Sequence, residues 1–478
     1  MPMKSHPLRI GLFGIGLDAY WPQFAGLKER LEGYVSRVEK LIAPAGAEVV
    51  NIGLVDSPAA ALEAGHALRR ADVDMVFLYV TTYALSSTVL PVVRRAGVPV
   101  VVLNLQPEAA IDYASFNAMG DRTAMTGDWL AFCAACPVPE ISNVFNRAGI
   151  PFHQVTGVLY GDDHVQSEIA DWVAAARVVH GMAHNRLGLL GHYYNGMLDI
   201  YSDTTLQSAV FGTHLEILEV EDLAVLRRNV TDDRAAERVA RFREFFDVQP
   251  DCTEGELLRA ARTSLALDTL VETHDLGSMA YYYKGGGCPE HEDLMSSVIL
   301  GNSLLTASGV PVAGEYEVKN AQAMKIMDLL GAGGSFTEYY AVDFRDDVVL
   351  MGHDGPGHAG IAEGKTKVRP LGVYHGKIGS GLSVEMQVKN GPVTLLSVVE
   401  DPKGGLFLLV AESESVPGPV LEIGNTNSRY RFPCGARAFI EGWNAHGPAH
   451  HCAVGTGHQA GRLAKVASLL GLPIRRVC

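Results

Sequence analysis

Short apolar runs and amphipathic stretches alternate through the first third of the chain. Residues 8–13 form an apolar run that stops at Gly14-Ile15-Gly16. The following stretch, 27–42, places apolar residues at helical spacing and keeps Glu29, Arg30, Glu32 and Arg37 on its wet side. Residues 47–55 read as a second strand, and alanine-rich 57–70 as a helix. Residues 73–80 and 98–103 are continuous apolar runs, the pattern of strands buried on both faces, with a helix at 88–96 between them. The run 150–158 and a helix around 169–179 continue the rhythm. Strands alternating with helices at this spacing predict a parallel, doubly wound sheet.

The same rhythm restarts near Asn185. An apolar strand at 187–190 ends in Gly191-His192, and 209–218 followed by a helix at 232–246 repeats the unit. Thr253-Glu254-Gly255-Glu256 has the Thr-x-x-Glu form of a capping box and opens a helix to about residue 274. Gly285-Gly286-Gly287 is a loop, and 294–307 a further helix. After about Ser335 the period changes to two. Residues 383–389, 394–400 and 405–411 alternate between turns such as Lys389-Asn390-Gly391-Pro392. Only 459–470 reads as a helix in this part. The expectation is α/β architecture in three domains. Residues 1–184 and 185–334 form two doubly wound α/β domains, and 335–478 a C-terminal antiparallel, β-barrel-like domain.

Bulk properties narrow the function. A chain of 478 residues has room for several cores. Its net charge is −15 and no Lys/Arg cluster stands out, which argues against nucleic acid or an anionic membrane as partner. No apolar run reaches the roughly 20 residues of a membrane span. The first residues lead into a strand rather than a signal peptide, and seven scattered cysteines suit a reducing cytoplasm.

Several motifs compete for the chemistry. Gly14-x-Gly16-x-x-Ala19 is a loose dinucleotide fingerprint without the acidic residue about 20 positions on that would hold a ribose, so a tight turn is the better reading. Cys133-x-x-Cys136 has no partner pair and reads as structural rather than as a zinc or redox site. No Gly-x-Ser-x-Gly elbow supports a serine nucleophile. The stretch 311–358 is richer. An apolar run there ends in Glu315, Phe336-Thr337-Glu338-Tyr339-Tyr340 follows, and the apolar 348–351 delivers Gly352-His353. Near the C-terminus Ala449-His450-His451-Cys452 follows another apolar run. Glu315, Glu338, His353 and His451 make a mixed oxygen and nitrogen donor set. Such a set suits Mn²⁺ or a similar divalent ion that keeps positions open for substrate oxygens, more than it suits zinc. Each residue alone is more often a hydrogen-bonded buried polar group than a ligand.

The order Gly-Glu315-x-x-x-Lys319-x-Ala321, Ser335-Phe336-x-Glu338-x-Tyr340, Gly352-His353 and Ala449-His450-His451 resembles the L-arabinose isomerases, a group that extends to the L-fucose isomerases. The resemblance is concentrated in the last 170 or so residues. It implies two α/β layers before a barrel-like domain, and a cytoplasmic, Mn²⁺-dependent aldose–ketose isomerase of a small sugar, assembled as a homotrimer or homohexamer. It further implies Glu315, Glu338, His353 and His451 as metal ligands, with Glu315 and Glu338 doubling as the acid/base pair. Tyr340 and His450 resemble residues that line the sugar site, and Gln106 and Met197 are weaker matches. In that chemistry a proton moves between C1 and C2 through a cis-enediol, so one carboxylate must be ionised while the other donates.

The chain also departs from the pattern. Asp354-Gly355-Pro356-Gly357-His358 stands where the better-known arabinose isomerases carry a more apolar, acid-containing stretch, and Tyr281-Tyr282-Tyr283 before three glycines is unlike them. These differences leave the substrate open to another pentose, a deoxyhexose or a branched sugar. His192 and His358 are further candidates for substrate contact, with a core or surface role the blander reading. Two other classes stay in play: a nicotinamide-dependent polyol oxidoreductase built on Gly14-x-Gly16, and a non-catalytic sugar-binding protein.

Overall fold

The computed structural model describes residues 6–374 and 377–478. These fall into two compact units, 6–180 and 181–478. Of the three expected segments, 185–334 and 335–478 both lie in the second unit.

In the first unit five parallel strands form one sheet in the order β2-β1-β3-β4-β5. They are β1 (Arg9–Ile15), β2 (Glu48–Val55), β3 (Met75–Tyr79), β4 (Val100–Gln106) and β5 (Phe152–Val158). Every residue of β3 is buried, as its unbroken apolar run requires of a strand with helices on both faces. The helix Leu27–Ile42 buries Leu27, Leu31, Tyr34, Val35, Val38 and Ile42, a stripe at helical spacing. Gly14 and Gly16 are explained by packing. A Cβ on Gly14 would lie 2.5 Å from Val35, and one on Gly16 would lie 2.8 Å from the Trp21 ring.

Between β4 and β5 stand three helices that the apolar pattern leaves unassigned: Tyr113–Ala118, Arg122–Phe132 and Val138–Ala148. The first buries no residue, so hydrophobic periodicity carries no signal there. Side chains start the first two instead. Asp112 accepts from the Ser115 backbone N–H at 3.0 Å, and Asp121 from that of Thr123 at 2.8 Å. Cys133, at the end of the second, is buried while Cys136 is exposed. Burial, with Cys136 adding, pushes the Cys133 thiol up to about 12, which suits an inert thiol.

The second unit holds a parallel sheet and a larger, mainly antiparallel one. The parallel sheet has the order β10-β9-β6-β7, from β6 (Arg186–Leu190), β7 (His214–Leu218), β9 (Ser278–Tyr281) and β10 (Val312–Ala313). β8 (Asp247–Val248) joins β13 (Lys367–Pro370) and β16 (Leu382–Glu385) in a small sheet. β14 (Val373–Tyr374) pairs with β15 (Lys377–Ile378). The large sheet runs β17-β20-β11-β12-β19-β18-β21. Its members are β11 (Gly333–Asp343), β12 (Val348–His353), β17 (Gly391–Glu400), β18 (Leu406–Ser415), β19 (Thr426–Arg431), β20 (His451–Thr456) and β21 (Ile474–Arg476). All its pairs are antiparallel except β18 with β21, and β17 also pairs with β18.

Thr253 caps its helix as expected, accepting from the Glu256 N–H at 3.3 Å. Three features differ from the expectation. The helix at 294–307 is two helices, Pro289–Met295 and Ile299–Ala307. A helix at Ala436–Asn444 joins the C-terminal one; it buries Ala436, Phe439 and Trp443, a stripe at helical spacing within a stretch read as strands and turns. Finally, Cys434 and Cys478 are joined in a disulfide, so the scattered cysteines are not all free thiols. Among the described residues no helix is long and apolar enough to cross a membrane.

Candidate metal centre

The parallel sheet supplies one side of the centre. After β10 the chain turns through Glu315 and Tyr316, both in the left-handed backbone region at φ 56° and 62°. Two consecutive non-glycine residues in that region cost about 1–3 kcal/mol each and persist only where the surroundings fix them. The Tyr316 N–H donates to the Tyr281 carbonyl at 2.8 Å, and the Glu317 N–H to the Gly314 carbonyl at 3.0 Å. The turn ends at Glu317, the residue before the helix Val318–Leu329.

The antiparallel sheet supplies the other side. Its register sets Glu338 of β11 opposite His451 of β20 and opposite Gly352 of β12, beside His353. Gly352 has no room for a side chain, because a Cβ would fall 1.8 Å from the Thr426 carbonyl. Thr426 fixes the end of β12 in return. Its hydroxyl accepts from the His353 N–H and donates to the His353 carbonyl, both at 2.9 Å. The Phe336 ring lies against both imidazoles, 4.5 Å from His353 and 4.2 Å from His451 between centroids. It forms an apolar floor that keeps the two rings in place.

The donor atoms converge. His451 Nε2 lies 3.2 Å from His353 Nε2 and 3.6 Å from Glu315 Oε2. His450 Nε2 lies 3.7 Å from Glu315 Oε2 and 4.0 Å from Glu338 Oε2. Donors about 2.1 Å from a shared cation stand about 3–4 Å apart, so these spacings fit a common ion. Glu315 Oε2 is buried and has no hydrogen-bond partner among the described residues. Glu315, His450 and His451 each offer one donor within 4.8 Å of the others. The outer ring nitrogens are held from behind. His353 Nδ1 is 3.1 Å from the Asp354 carbonyl, and His451 Nδ1 is 2.6 Å from Glu317 Oε2. Backing of this kind fixes ring orientation and leaves Nε2 directed inward. At 3.2 Å, one Nε2 donates a proton to the other or both face a shared cation.

Electrostatics separates the two carboxylates. Burial pushes Glu338 up to about 7, and the charges of Glu315 and Asp354 add to it against His450. Burial also pushes Glu315 up, but the neighbouring imidazoles of His450, His451 and His353 outweigh it and leave its carboxyl below the ordinary range. His353 and His451 are each driven down to about 3, first by burial and then by the adjacent imidazole. His450 behaves oppositely. Burial lowers it, but Glu315 and Asp199 outweigh that and raise it to about 9.

Of the residues expected from sequence, Glu315, Glu338, His353, His450 and His451 lie together. Tyr340 is two positions beyond Glu338 on β11, and its buried hydroxyl has no hydrogen-bond partner among the described residues. Burial pushes its phenol up, with Asp354 and Glu338 adding to the effect. Met197 lies on the loop after β6, the loop that brings Asp199 to the centre. Gln106 ends β4 in the first unit. His358 is buried and its N–H donates to the Ser335 hydroxyl at 3.3 Å, whereas His192 is exposed and stacks on Tyr282.

Three participants were not singled out from the sequence as site residues. Glu317 is fully buried behind His451, and burial pushes its carboxyl up to about 8 against Lys319 and His450. Its position two residues after Glu315 was the available signal. Asp199 accepts from the His450 backbone N–H at 3.0 Å and stands 2.6 Å from His450 Nδ1. Lys319 donates to the Asp199 carbonyl at 2.6 Å. Asp199 lies 251 residues before His450, so no local pattern points to it.

No family model and no curated protein matches this chain. Among solved structures, it is similar to a periplasmic solute-binding protein of an ABC transporter from Actinobacillus succinogenes, solved with bound D-allose. That match is 10% identical, covers 64% of this chain and 95% of the other, and has a TM-score of 0.17. A second is D-lactate dehydrogenase from Escherichia coli, 9% identical over 68% and 94%, with a TM-score of 0.16. At TM-scores this low, neither likeness carries an inference about fold or function.

Proposed function

We propose that this protein is a metal-dependent aldose–ketose isomerase of a small sugar, of the kind that the L-arabinose isomerases represent. The observation that carries the reading is the convergence of Glu315, His353 and His451 from two different sheets onto donor spacings of 3.2–3.6 Å, with His450 Nε2 between Glu315 at 3.7 Å and Glu338 at 4.0 Å. The pairing of β17 with β18 returns the large sheet towards itself, which supports the barrel-like part of the expectation.

Glu315, Glu338, His353 and His451 are the residues that would hold a divalent cation, Mn²⁺ by the mixed donor set. Such an ion stabilises negative charge developing on the sugar's O1 and O2. The protein's own groups do the rest. Glu315, held below the ordinary carboxylate range, is ionised and accepts the proton from C2. Glu338, the more basic of the two carboxyls, passes a proton to O1. Together these transfers give a cis-enediol. Return of the proton from Glu315 to C1, with the O2 hydroxyl proton passing to Glu338, completes the ketose and restores both carboxyls. His450, turned by Asp199 so that Nε2 faces both carboxylates, donates a hydrogen bond to a sugar oxygen in this reading.

The test is a panel of aldoses given to metal-stripped protein with and without Mn²⁺, read as ketose formed. Mn²⁺-dependent conversion of a pentose or deoxyhexose is expected, and Glu338→Gln abolishes it with the fold retained. Absence of ketose from every aldose, with Mn²⁺ bound, would overturn the reading.

A further inference from the structure

The parallel sheet of the second unit has a switch point that the chemistry above leaves unused. From β6 the chain moves to β7 on one side, then crosses to β9 and β10 on the other. The loops after β6 and β9 therefore leave in opposite directions, and such a switch point is the place where open α/β sheets receive ligands.

Both loops carry aromatic rings at that point. His192 and Tyr194 come from the first loop, Tyr282 and Tyr283 from the second. His192 lies on Tyr282 at 4.4 Å between centroids, and Tyr194 meets Tyr282 and Tyr283 at 5.6 Å each. Tyr282 is buried beneath its neighbours, Tyr194 and Tyr283 are half-buried, and His192 is exposed. The far end of the first loop is anchored at the metal centre, where Asp199 holds His450. Tyr193 of the same loop packs at 4.9 Å on Tyr316, the residue after Glu315. Burial raises the phenols of Tyr282 and Tyr283, and the Glu315 charge adds to both, so these rings share the field of the centre.

We propose that His192, Tyr194, Tyr282 and Tyr283 form the wall of the sugar subsite beside Glu315, selecting a neutral, unphosphorylated aldose by contact with its carbon–hydrogen face. The proposal rests on the isomerase reading for the identity of the neighbouring centre. Aromatic faces are electron-rich and attract the positive edge of C–H groups, and aromatic linings with a few polar groups are the usual make-up of a small-molecule site. Among the described residues the wall itself offers a phosphate no free cation. His450 is engaged by Asp199, Lys319 is committed to the Asp199 carbonyl and Lys284 lies over the Tyr283 ring at 5.5 Å.

The experiment is calorimetric binding of pentitols and 6-deoxyhexitols, which cannot isomerise, to the full chain and to Tyr194→Ala, Tyr283→Ala and Tyr283→Phe. Melting curves confirm that each variant is folded. Kd for the best polyol should rise about tenfold in either alanine variant and stay within about twofold in Tyr283→Phe, which keeps the ring. Equal affinities across all four proteins, or no polyol binding to the unaltered chain, would overturn the wall. Tighter binding of an aldose phosphate than of the free aldose would overturn the substrate class. Polyol binding that the alanine variants lose, with no aldose converted under any condition, would uphold the wall and sink the isomerase reading instead.

Discussion

Glu317→Gln separates a metal centre from a merely buried polar cluster. Glu317 is fully buried, and its Oε2 stands 2.6 Å from His451 Nδ1. Glutamine has the same shape, and its amide oxygen can still accept from that ring nitrogen. What it cannot supply is the negative charge that Glu317, pushed up to about 8 by burial, takes on when a cation on the far side of the ring draws its proton away, and which raises the basicity of Nε2. Loss of such a backing group typically weakens metal affinity about 10–100-fold, roughly 1.4–2.7 kcal/mol. Fold stability should move the other way or not at all, because removing a buried carboxylate also removes its desolvation cost. Isothermal titration of Mn²⁺ into metal-stripped protein, paired with a melting curve on the same sample, reads both quantities. A weaker Mn²⁺ affinity at unchanged melting temperature is the expected result. Unchanged affinity, whatever the melting temperature does, would refute the argument that Glu317 holds His451 for ligand duty.

Other consequences lie outside the centre. Both ring nitrogens of His180 face acceptors, Nδ1 towards Asp74 Oδ1 at 2.7 Å and Nε2 towards the His6 carbonyl at 2.9 Å. The Asp74 hydrogen bond raises His180 above its ordinary value, so its contribution is complete below about pH 6.5 and fades as pH rises through the folded value. Denaturant midpoints should show that fall in the native protein and lose it in His180→Gln; an identical pH profile in the two would refute it. Gly352→Ala should destabilise by more than about 3 kcal/mol, since a Cβ 1.8 Å from the Thr426 carbonyl forces two paired strands apart. Near-native melting would show that the pair relaxes. Cys478→Ser opens a bridge across 44 residues, and chain entropy puts the loss at up to about 4 kcal/mol. Equal denaturant midpoints with and without the bridge would refute it.

Legibility followed locality. The parallel strands of the first unit were readable because each is a continuous apolar run, and β3 is buried throughout. The helix Tyr113–Ala118 was not, because it buries nothing and depends on the Asp112 cap. At the centre, Glu315 and His353 showed themselves as polar residues at the ends of apolar runs, and Glu338 and His451 as members of short motifs near such runs. Their convergence depends on register, which sets Glu338 opposite both Gly352 and His451, and no sequence period states which strands will be neighbours. Asp199 and Glu317 were missed for a different reason. Their role is to orient another side chain: Glu317 was marked only by its place two residues after Glu315, and nothing near Asp199 marks it. The left-handed turn at Glu315 and Tyr316 shows the same limit from the backbone side. Neither residue favours φ near +60°, so propensity would have argued against the conformation. It is held by the Tyr281 carbonyl and by the start of the helix at Val318, both parts of the parallel sheet's architecture. Strain of this kind is tolerated where position outweighs local preference, and here it sits on the carboxylate to which both His450 and His451 turn.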